Sequence, residues 1–127
     1  MVRRTRLGDS TCPVARTLDV IGDWWSLLIV RAALDGDRRF SEFHRTLGVA
    51  RNILTTRLRA LVDAEILMIV PAPGGGAHHE YALTPRGESL RPVIAALRQW
   101  GEENLPAAPD QARGPGPADA PSSTRPQ

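Results

Sequence analysis

The segment GVARNILTTRLRALVDAEIL, residues 48–67, predicts a tight turn followed by a helix with two unlike faces. At about 100° per residue, Leu54, Leu58, Leu61 and Glu65 form one narrow and mostly apolar stripe. Side chains on the other face have the donors and acceptors needed to contact base edges in the major groove of DNA. DNA is therefore the first partner to consider. The polar face consists of Asn52, Thr55, Thr56, Arg59 and Asp63.

The composition predicts one small domain whose positive charge comes from arginine alone. The chain has 127 residues and a formal net charge of +2, and all 16 of its basic residues are arginines. Guanidinium groups form forked hydrogen bonds to phosphate and to guanine. The single cysteine excludes an intramolecular disulfide, and neither a signal-peptide pattern nor a membrane-spanning apolar run is present. A reducing, cytoplasmic location without a membrane partner is the expected setting.

Changes in composition divide the chain into three regions. Residues 1–11 are predicted as a flexible basic arm, residues 12–105 as the folded domain, and residues 106–127 as a disordered tail rich in Pro, Ala and Gly. Within the domain, a first helix is predicted from Cys12-Pro13 to Gly22. A second helix is predicted from about Trp24 to Leu34, with Trp24 on its wide apolar face, and Asp35-Gly36-Asp37 ends it.

The remaining elements complete a recognisable order. A brief extended piece at residues 38–40 leads to a third helix with Ser41 as its N-cap and Gly48 at its end. After the helix of residues 48–67, residues 66–70 and 78–83 predict a hairpin with a long loop, and Thr84-Pro85 starts a single last helix. A helix-turn-helix followed by a two-stranded wing is the winged helix-turn-helix arrangement. The predicted fold class is therefore mainly α with a small β-hairpin (α+β).

Several short motifs follow one another in a characteristic order: Cys12-Pro13-Val14, Leu18-Asp19-Val20-Ile21-Gly22, Trp25 with Leu27-Leu28-Ile29, Arg39-Phe40-Ser41-Glu42-Phe43, Leu54-Thr55 with Arg57-Leu58 and Leu61, Glu80-Tyr81-Ala82-Leu83-Thr84-Pro85 with Gly87, and Pro92-Val93 with Trp100-Gly101. In this order they resemble the HxlR-type regulators, a bacterial winged-helix family related to the MarR-like repressors. The resemblance implies a homodimeric DNA-binding transcription regulator that dimerises through its terminal helices.

The chain departs from the family pattern at three points. Asp23 and Trp24 stand where a Lys or Arg commonly precedes a tryptophan, so a phosphate contact there is not expected. The wing has Gly74-Gly75-Gly76 and His78-His79 where the family usually has Arg or Lys. Ala50 replaces a frequent Ser at the cap of the recognition helix, and the uncapped amides can instead face a phosphate.

The predicted DNA contacts lie on the recognition helix, near its start and on the wing. The amino end of the recognition helix enters the groove in helix-turn-helix proteins, so base readers are expected there. Arg38 and Arg39 either reach phosphates or pair with Asp35 and Asp37. The alternative for the whole polar face is simple solvation. The expected base readers are Arg51, Asn52, Thr55 and Thr56, the expected phosphate contacts are Arg57 and Arg59, and further contacts are Ser41, His78 and His79.

Cys12 has two open interpretations. It precedes a helix and has Arg16 one turn later, which are positive surroundings that suit a reactive thiol. Some HxlR-type proteins use a cysteine at this position to sense oxidants or electrophiles, so the resemblance implies a redox switch, with an intersubunit disulfide as one form. The other interpretation is a small buried residue at the dimer interface, as free cysteines usually are.

The wing histidines predict no metal or cofactor site. His78, His79 and Glu80 are adjacent in a strand and so point to opposite faces, and no further ligand cluster accompanies them. A polar wing whose histidines gain charge as the pH falls is the preferred interpretation.

The last helix predicts a dimer interface, because its wide apolar stripe needs a second subunit to bury it in so small a chain. The leading function is a dimeric regulator on a pseudo-palindromic operator, switched by a small-molecule or electrophile effector, by a thiol reaction or by abundance. An enzyme is not expected, because Cys12 and His44 form the only Cys/His combination and nothing places them together. The alternative is a winged-helix module that binds another protein without DNA. The predicted interface residues are Val14, Leu18, Leu90, Val93, Ile94, Leu97 and Trp100.

Overall fold

Six helices and one two-stranded antiparallel sheet make up residues 7–74 and 76–107, which are the residues that the computed structural model describes. The predicted winged helix-turn-helix architecture, mainly α with a small hairpin, is confirmed. Most of the predicted tail and the arginines of the predicted arm lie outside the described residues. The elements are α1 (Pro13–Ile21), α2 (Ser26–Leu34), α3 (Phe40–Leu47), α4 (Arg51–Asp63), β1 (Leu67–Pro71), β2 (His79–Leu83), α5 (Pro85–Glu88) and α6 (Arg91–Asn104).

The core lies between α2, α3 and α4. Leu54, Leu58 and Leu61 of α4 are all buried, as the predicted stripe requires. They belong to the same hydrophobic cluster as Ile29 of α2 and Phe43 of α3. Full burial of a leucine side chain is worth about 1.5–3 kcal/mol. The apolar half of α4 therefore anchors this helix and leaves its other half to solvent.

The second helix begins later than the sequence predicts. It starts at Ser26, because the carboxylate of Asp23 accepts hydrogen bonds from the backbone N–H groups of Trp25 and Ser26, at 2.9 and 2.8 Å, and so caps the helix from outside. Trp24 lies ahead of the helix with 88% of its surface exposed. The prediction that Trp24 belongs to the apolar face of α2 is therefore wrong.

Helix α4 also ends earlier than the sequence predicts. Asp63 is the last residue of α4, and Glu65 is exposed with a φ of 63°, in the left-handed region. The N–H of Ile66 then donates to the carbonyl of Leu61 at 2.9 Å, and β1 begins. The prediction that Glu65 continues the stripe of α4 is wrong, because the chain has already reversed there.

The hairpin pairs β1 with β2 in antiparallel register, from Leu67 opposite Leu83 to Pro71 opposite His79. At its side, the N–H of Tyr81 donates to the carbonyl of Arg38 at 2.7 Å. This bond ties the turn before α3 to the wing. The predicted extended piece at residues 38–40 is shorter than expected, because α3 already begins at Phe40. Its backbone bond to the wing is the one at Arg38.

The predicted single last helix is two helices. The Thr84 hydroxyl accepts the N–H of Gly87 at 3.0 Å, so Thr84 is the predicted N-cap, but it caps only the single turn of α5. A second helix, α6, starts at Arg91 with Pro92 in its first turn. Proline has no N–H and its ring excludes the carbonyl four residues earlier, so a helix cannot run through this position without a break.

Residues 7–11 are attached to α1 although the sequence places them in the flexible arm. The N–H of Leu7 donates to a carboxylate oxygen of Asp19 at 3.0 Å, and Arg16 donates to the carbonyl of Ser10 at 2.9 Å. These bonds hold the start of the described chain along the first helix.

Candidate nucleic-acid interface

The outer face of α4 carries the predicted polar side chains together. Asn52, Thr55, Thr56 and Arg59 are all exposed on this face, opposite the buried leucines. The Thr56 hydroxyl donates to the carbonyl of Asn52 at 2.9 Å, which leaves its oxygen as an acceptor. A helix that is anchored on one side and polar on the other can enter a DNA groove without unfolding any of the core.

The amino end of α4 has no side-chain cap. Ala50 is the N-cap residue, and no side chain accepts a hydrogen bond in the capping position. Arg51, the first residue of the helix, is exposed, and its guanidinium carbon lies 4.9 Å from the centre of the Phe40 ring. The first amides of a helix point along its axis and carry partial positive charge, so this end is electrostatically suited to an anion.

Arg38 and Arg39 have a partner that the sequence did not predict. Arg38 Nε lies 2.7 Å from one oxygen of Glu80, and Arg39 Nε lies 3.5 Å from the other. The Glu80 side chain is only 7% exposed, whereas both arginine side chains are about half exposed. The hydrogen bond from Arg38, with support from Arg39, outweighs burial and holds the pKa of Glu80 below its ordinary value.

The predicted pairing of these arginines with Asp35 and Asp37 is therefore wrong, because both arginines pair with Glu80. Asp37 instead accepts the hydroxyl of Thr46 at 2.6 Å, and burial raises its pKa. The carboxylate of Glu80 lies on the inward side of β2, where the sequence alternates exposed and buried residues. Two arginines at the side of the wing are thus held in place with part of their surface facing solvent.

Ser41 is not the N-cap of α3. It is the second residue of the helix and is exposed, while Glu42 accepts the N–H groups of Arg38 and Arg39 at 2.7 and 3.0 Å. The bonds from the Arg38 and Arg39 amides lower the pKa of Glu42. An acidic residue in the first turn was the sequence signal for this role. Ser41 remains near the interface only as an exposed hydroxyl.

Arg57 is directed away from the outer face of α4. Its Nη1 atom lies 3.2 Å from Asp23 Oδ2, and 27% of its side chain is exposed. Burial acts to raise the pKa of Asp23, but the hydrogen bonds from Ser26 and Trp25 and the charge of Arg57 lower it below the ordinary value. The Asp23–Arg57 pair connects the start of α2 to the middle of α4, and it engages the guanidinium that the sequence assigns to a phosphate contact.

The wing presents its histidines to solvent. His78 and His79 are exposed at the end of the loop that joins the strands, and Gly74 and Gly76 take positive φ values there. No arginine or lysine occurs from residue 68 to residue 83. The described residues hold no group of three or more His, Cys, Asp or Glu side chains that could bind a metal ion.

Cys12 is exposed and is the N-cap residue of α1. The interpretation of Cys12 as a buried residue is therefore not met within one chain.

Among the described residues no helix is long and apolar enough to span a membrane.

The predicted dimer residues divide into two groups. Leu90 and Ile94 are partly buried against the core of their own chain. None of the α6 residues, all of which the structure describes, is buried, and Trp100 is 59% exposed. The exposed members of the predicted interface are Val14, Leu18, Val93, Leu97 and Trp100.

Comparison with known proteins adds a family and several structures. Residues 20–109 match the model of the HxlR-like helix-turn-helix family. The uncharacterised HTH-type transcriptional regulator Rv3095 of Mycobacterium tuberculosis is 44% identical over 93 residues, which cover 73% of this chain and 59% of the relative. The chain therefore spans less than two thirds of that relative. The regulator YybR of Bacillus subtilis is 37% identical over 73% of this chain and 75% of its own length.

Two solved structures have the same fold. PA1607, described as a candidate transcription factor, is 51% identical with a TM-score of 0.77, over 87% of this chain and 76% of its own. The redox regulator HypR in its oxidised form is 35% identical with a TM-score of 0.65, over 76% of this chain and all of its own.

Proposed function

This chain belongs to the HxlR-like helix-turn-helix family of transcriptional regulators, and we propose that it acts as a homodimer that binds double-stranded DNA in a sequence-specific manner. The observation that carries the proposal is the division of α4 into a buried leucine face and an exposed face of Asn52, Thr55, Thr56 and Arg59. Solvation alone would also give a polar face, but Thr55 and Thr56 lie in mid-helix, where threonine is a mediocre helix former if it meets only solvent. Together with the neighbouring wing, they favour a helix that reads a groove.

The proposed contacts have two roles, which are recognition of base edges and binding of phosphate. Residues in the first two turns of α4 contact base edges, and Arg59, near the middle, contacts phosphate. Arg38 and Arg39 add phosphate contacts from the side of the wing, because Glu80 holds each guanidinium group through its Nε atom and leaves about half of each side chain accessible. The wing has no arginine or lysine between residues 68 and 83, so α4 supplies most of the specificity.

Selection of bound sequences from random double-stranded DNA tests this function directly. We expect a pseudo-palindromic site, as two equivalent α4 helices require. Arg59→Ala should weaken binding to all sequences and lower the slope of log Kd against log salt by about one for each phosphate that the variant no longer neutralises. Asn52→Ala should instead relax the base preference at one position of each half-site.

Arg86→Ala is the matched control for charge. Arg86 is exposed and lies next to Glu65, beyond the carboxyl end of α4, so its removal should leave the salt slope and the preference unchanged. A natural chain that selects no sequence and has no salt-dependent affinity would contradict the proposal. That result would favour the winged-helix module that binds another protein.

The dimer is proposed through α1 and α6. Both helices expose apolar side chains in the single chain, among them Val14, Leu97 and Trp100. Sedimentation at micromolar concentration should give a dimer for the natural chain and a monomer for Leu97→Glu. Gln99→Glu, an equal charge change at another exposed position of α6, should leave the dimer intact. A monomeric natural chain would contradict the proposal.

Cys12 is proposed as the site of a thiol switch. The cysteine is exposed at the start of α1, one of the two helices assigned to the dimer interface, and the redox regulator HypR has the same fold. A two-electron oxidant such as diamide would accept two electrons and two protons as the Cys12 thiols of two subunits form one disulfide. The oxidant should alter DNA affinity for the natural chain and not for Cys12→Ser, and a non-reducing gel should show the cross-linked dimer. Equal responses would exclude this thiol as the sensor.

A further inference from the structure

Phe40 connects the first residues of two helices. It is the first residue of α3, and Arg51, whose guanidinium carbon lies 4.9 Å from the centre of its ring, is the first residue of α4. The Phe40 ring also stacks with His44 one turn later, with ring centroids 6.3 Å apart and an angle of 14° between the planes. Phe40 is itself partly buried against the core. The guanidinium of Arg51 therefore rests on a ring whose own position is fixed.

Arg51 differs from the three ion-paired arginines on this side of the molecule. Arg38 and Arg39 donate to Glu80, and Arg57 donates to Asp23. Among the described residues, the Arg51 guanidinium has neither a hydrogen bond nor an ion pair, and the residue is exposed. A guanidinium over a ring face is attracted through the ring, and this contact uses none of its N–H donors. Arg51 is thus held in orientation while its donors stay available.

A pre-oriented guanidinium suits one base above the others. Guanine presents two acceptors, N7 and O6, in the major groove, and the fork of arginine matches them with two parallel hydrogen bonds. A long side chain normally loses much rotational freedom when it makes such a contact. Contact with Phe40 restricts that freedom before DNA arrives.

We propose that Arg51 reads a guanine in each half-site and that Phe40 is the positioning residue that orients its guanidinium for this contact. The inference rests on the proposed function, since it requires that α4 enter the major groove. The inference names guanine as the base that Arg51 contacts. It also gives Phe40 a role in DNA recognition that its packing against the core does not require.

Binding to single-base variants of the selected site tests the proposal. Replacing the contacted G·C pair by A·T should weaken binding of the natural chain by about tenfold or more. Arg51→Ala removes every donor of the guanidinium, so it should bind both sites with nearly equal affinity. Phe40→Leu should discriminate between the two sites several-fold less well, while its affinity for unrelated DNA stays unchanged. Phe40→Tyr should keep the preference because it keeps an aromatic face.

The outcomes separate the inference from the function on which it rests. If the natural chain binds no DNA, both fail. If the natural chain discriminates and Phe40→Leu, shown by circular dichroism to be folded, discriminates equally well, the role of Phe40 is wrong. If Arg51→Ala keeps the guanine preference, so that it weakens binding uniformly across all sequences as the loss of a phosphate contact would, the assignment of Arg51 is wrong. Should Phe40→Leu fail to fold, Phe40→Tyr decides, since a folded Phe40→Tyr variant that discriminates as poorly as Arg51→Ala would also contradict the proposal.

Discussion

Gly87→Ala should destabilise the domain because the glycine lies against the base of the wing. An alanine Cβ at this position would lie 2.2 Å from the carbonyl oxygen of Ile66 and 2.9 Å from a methyl carbon of Leu83, below the 3.0 Å limit of real Cβ contacts. The Thr84 hydroxyl donates to the neighbouring carbonyl of Glu65 at 2.6 Å, and the Ile66 carbonyl accepts the N–H of Thr84 at 3.1 Å. It cannot move away without loosening the junction between β1 and α5.

The magnitude follows from three contributions. Forcing a methyl group into a packed site costs roughly 1–3 kcal/mol. Loss of one hydrogen bond from Thr84 adds about 1 kcal/mol, and the better helix propensity of alanine returns up to about 1 kcal/mol. The expected loss in the free energy of unfolding is therefore about 2 kcal/mol, or roughly 8–16 °C in Tm for a domain of this size.

Urea unfolding followed by circular dichroism measures this loss, with all variants at one protein concentration because dimerisation would couple stability to concentration. Arg86→Ala is the control, since it introduces the same residue one position earlier in α5. Arg86 is exposed and lies 4.0 Å from an exposed carboxylate, so its loss should change stability by less than about 0.5 kcal/mol. A Gly87→Ala variant as stable as Arg86→Ala would refute the steric argument.

Three further substitutions test the core, the Asp23 cap and the wing anchor. Leu58→Ala removes a fully buried side chain and should cost about 2–5 kcal/mol in urea unfolding. Asp23→Asn should be less stable than the natural chain near pH 7. Because the pKa of Asp23 is lowered by folding, this difference should shrink as the pH falls below 3.8, and a constant difference would show that the charge does not matter. Glu80→Gln removes the carboxylate that holds Arg38 and Arg39, so it should lower Tm while strengthening low-salt binding to unrelated DNA; unchanged DNA affinity would show that these arginines do not reach phosphate.

Local sequence signals were sufficient for most of the architecture. The leucine spacing of α4, the Thr84-Pro85 start and the hairpin all depend on residues within one or two turns of one another, and all three are present. The structure departs from the apolar periodicity at Trp24 and in the last helix for local reasons. Asp23 was available as a cap, and Pro92 was available as a break.

Pairs distant in sequence could not be predicted in the same way. Arg38 and Glu80 are 42 positions apart, and Arg57 and Asp23 are 34 apart, so no periodicity connects them. One signal did exist for the first pair. Glu80 falls on the same side of its strand as Ala82, and a carboxylate on a buried side requires a hydrogen-bonded or charged partner. In the structure that partner is the pair of arginines before α3.

The ion pairs determine how this surface would discriminate among DNA sequences. Three arginines close to α4 already face carboxylates, and the wing adds no arginine or lysine between residues 68 and 83. Affinity that depends only on phosphate charge should therefore be low, because each paired guanidinium releases fewer counterions on binding. Arg51 and Arg59, which no carboxylate holds in the part of the chain that the structure describes, would carry the charge on α4 itself. A regulator with weak background affinity and a small number of oriented donors gains specificity from base contacts, so selection experiments should give a sharp site and a shallow salt dependence together.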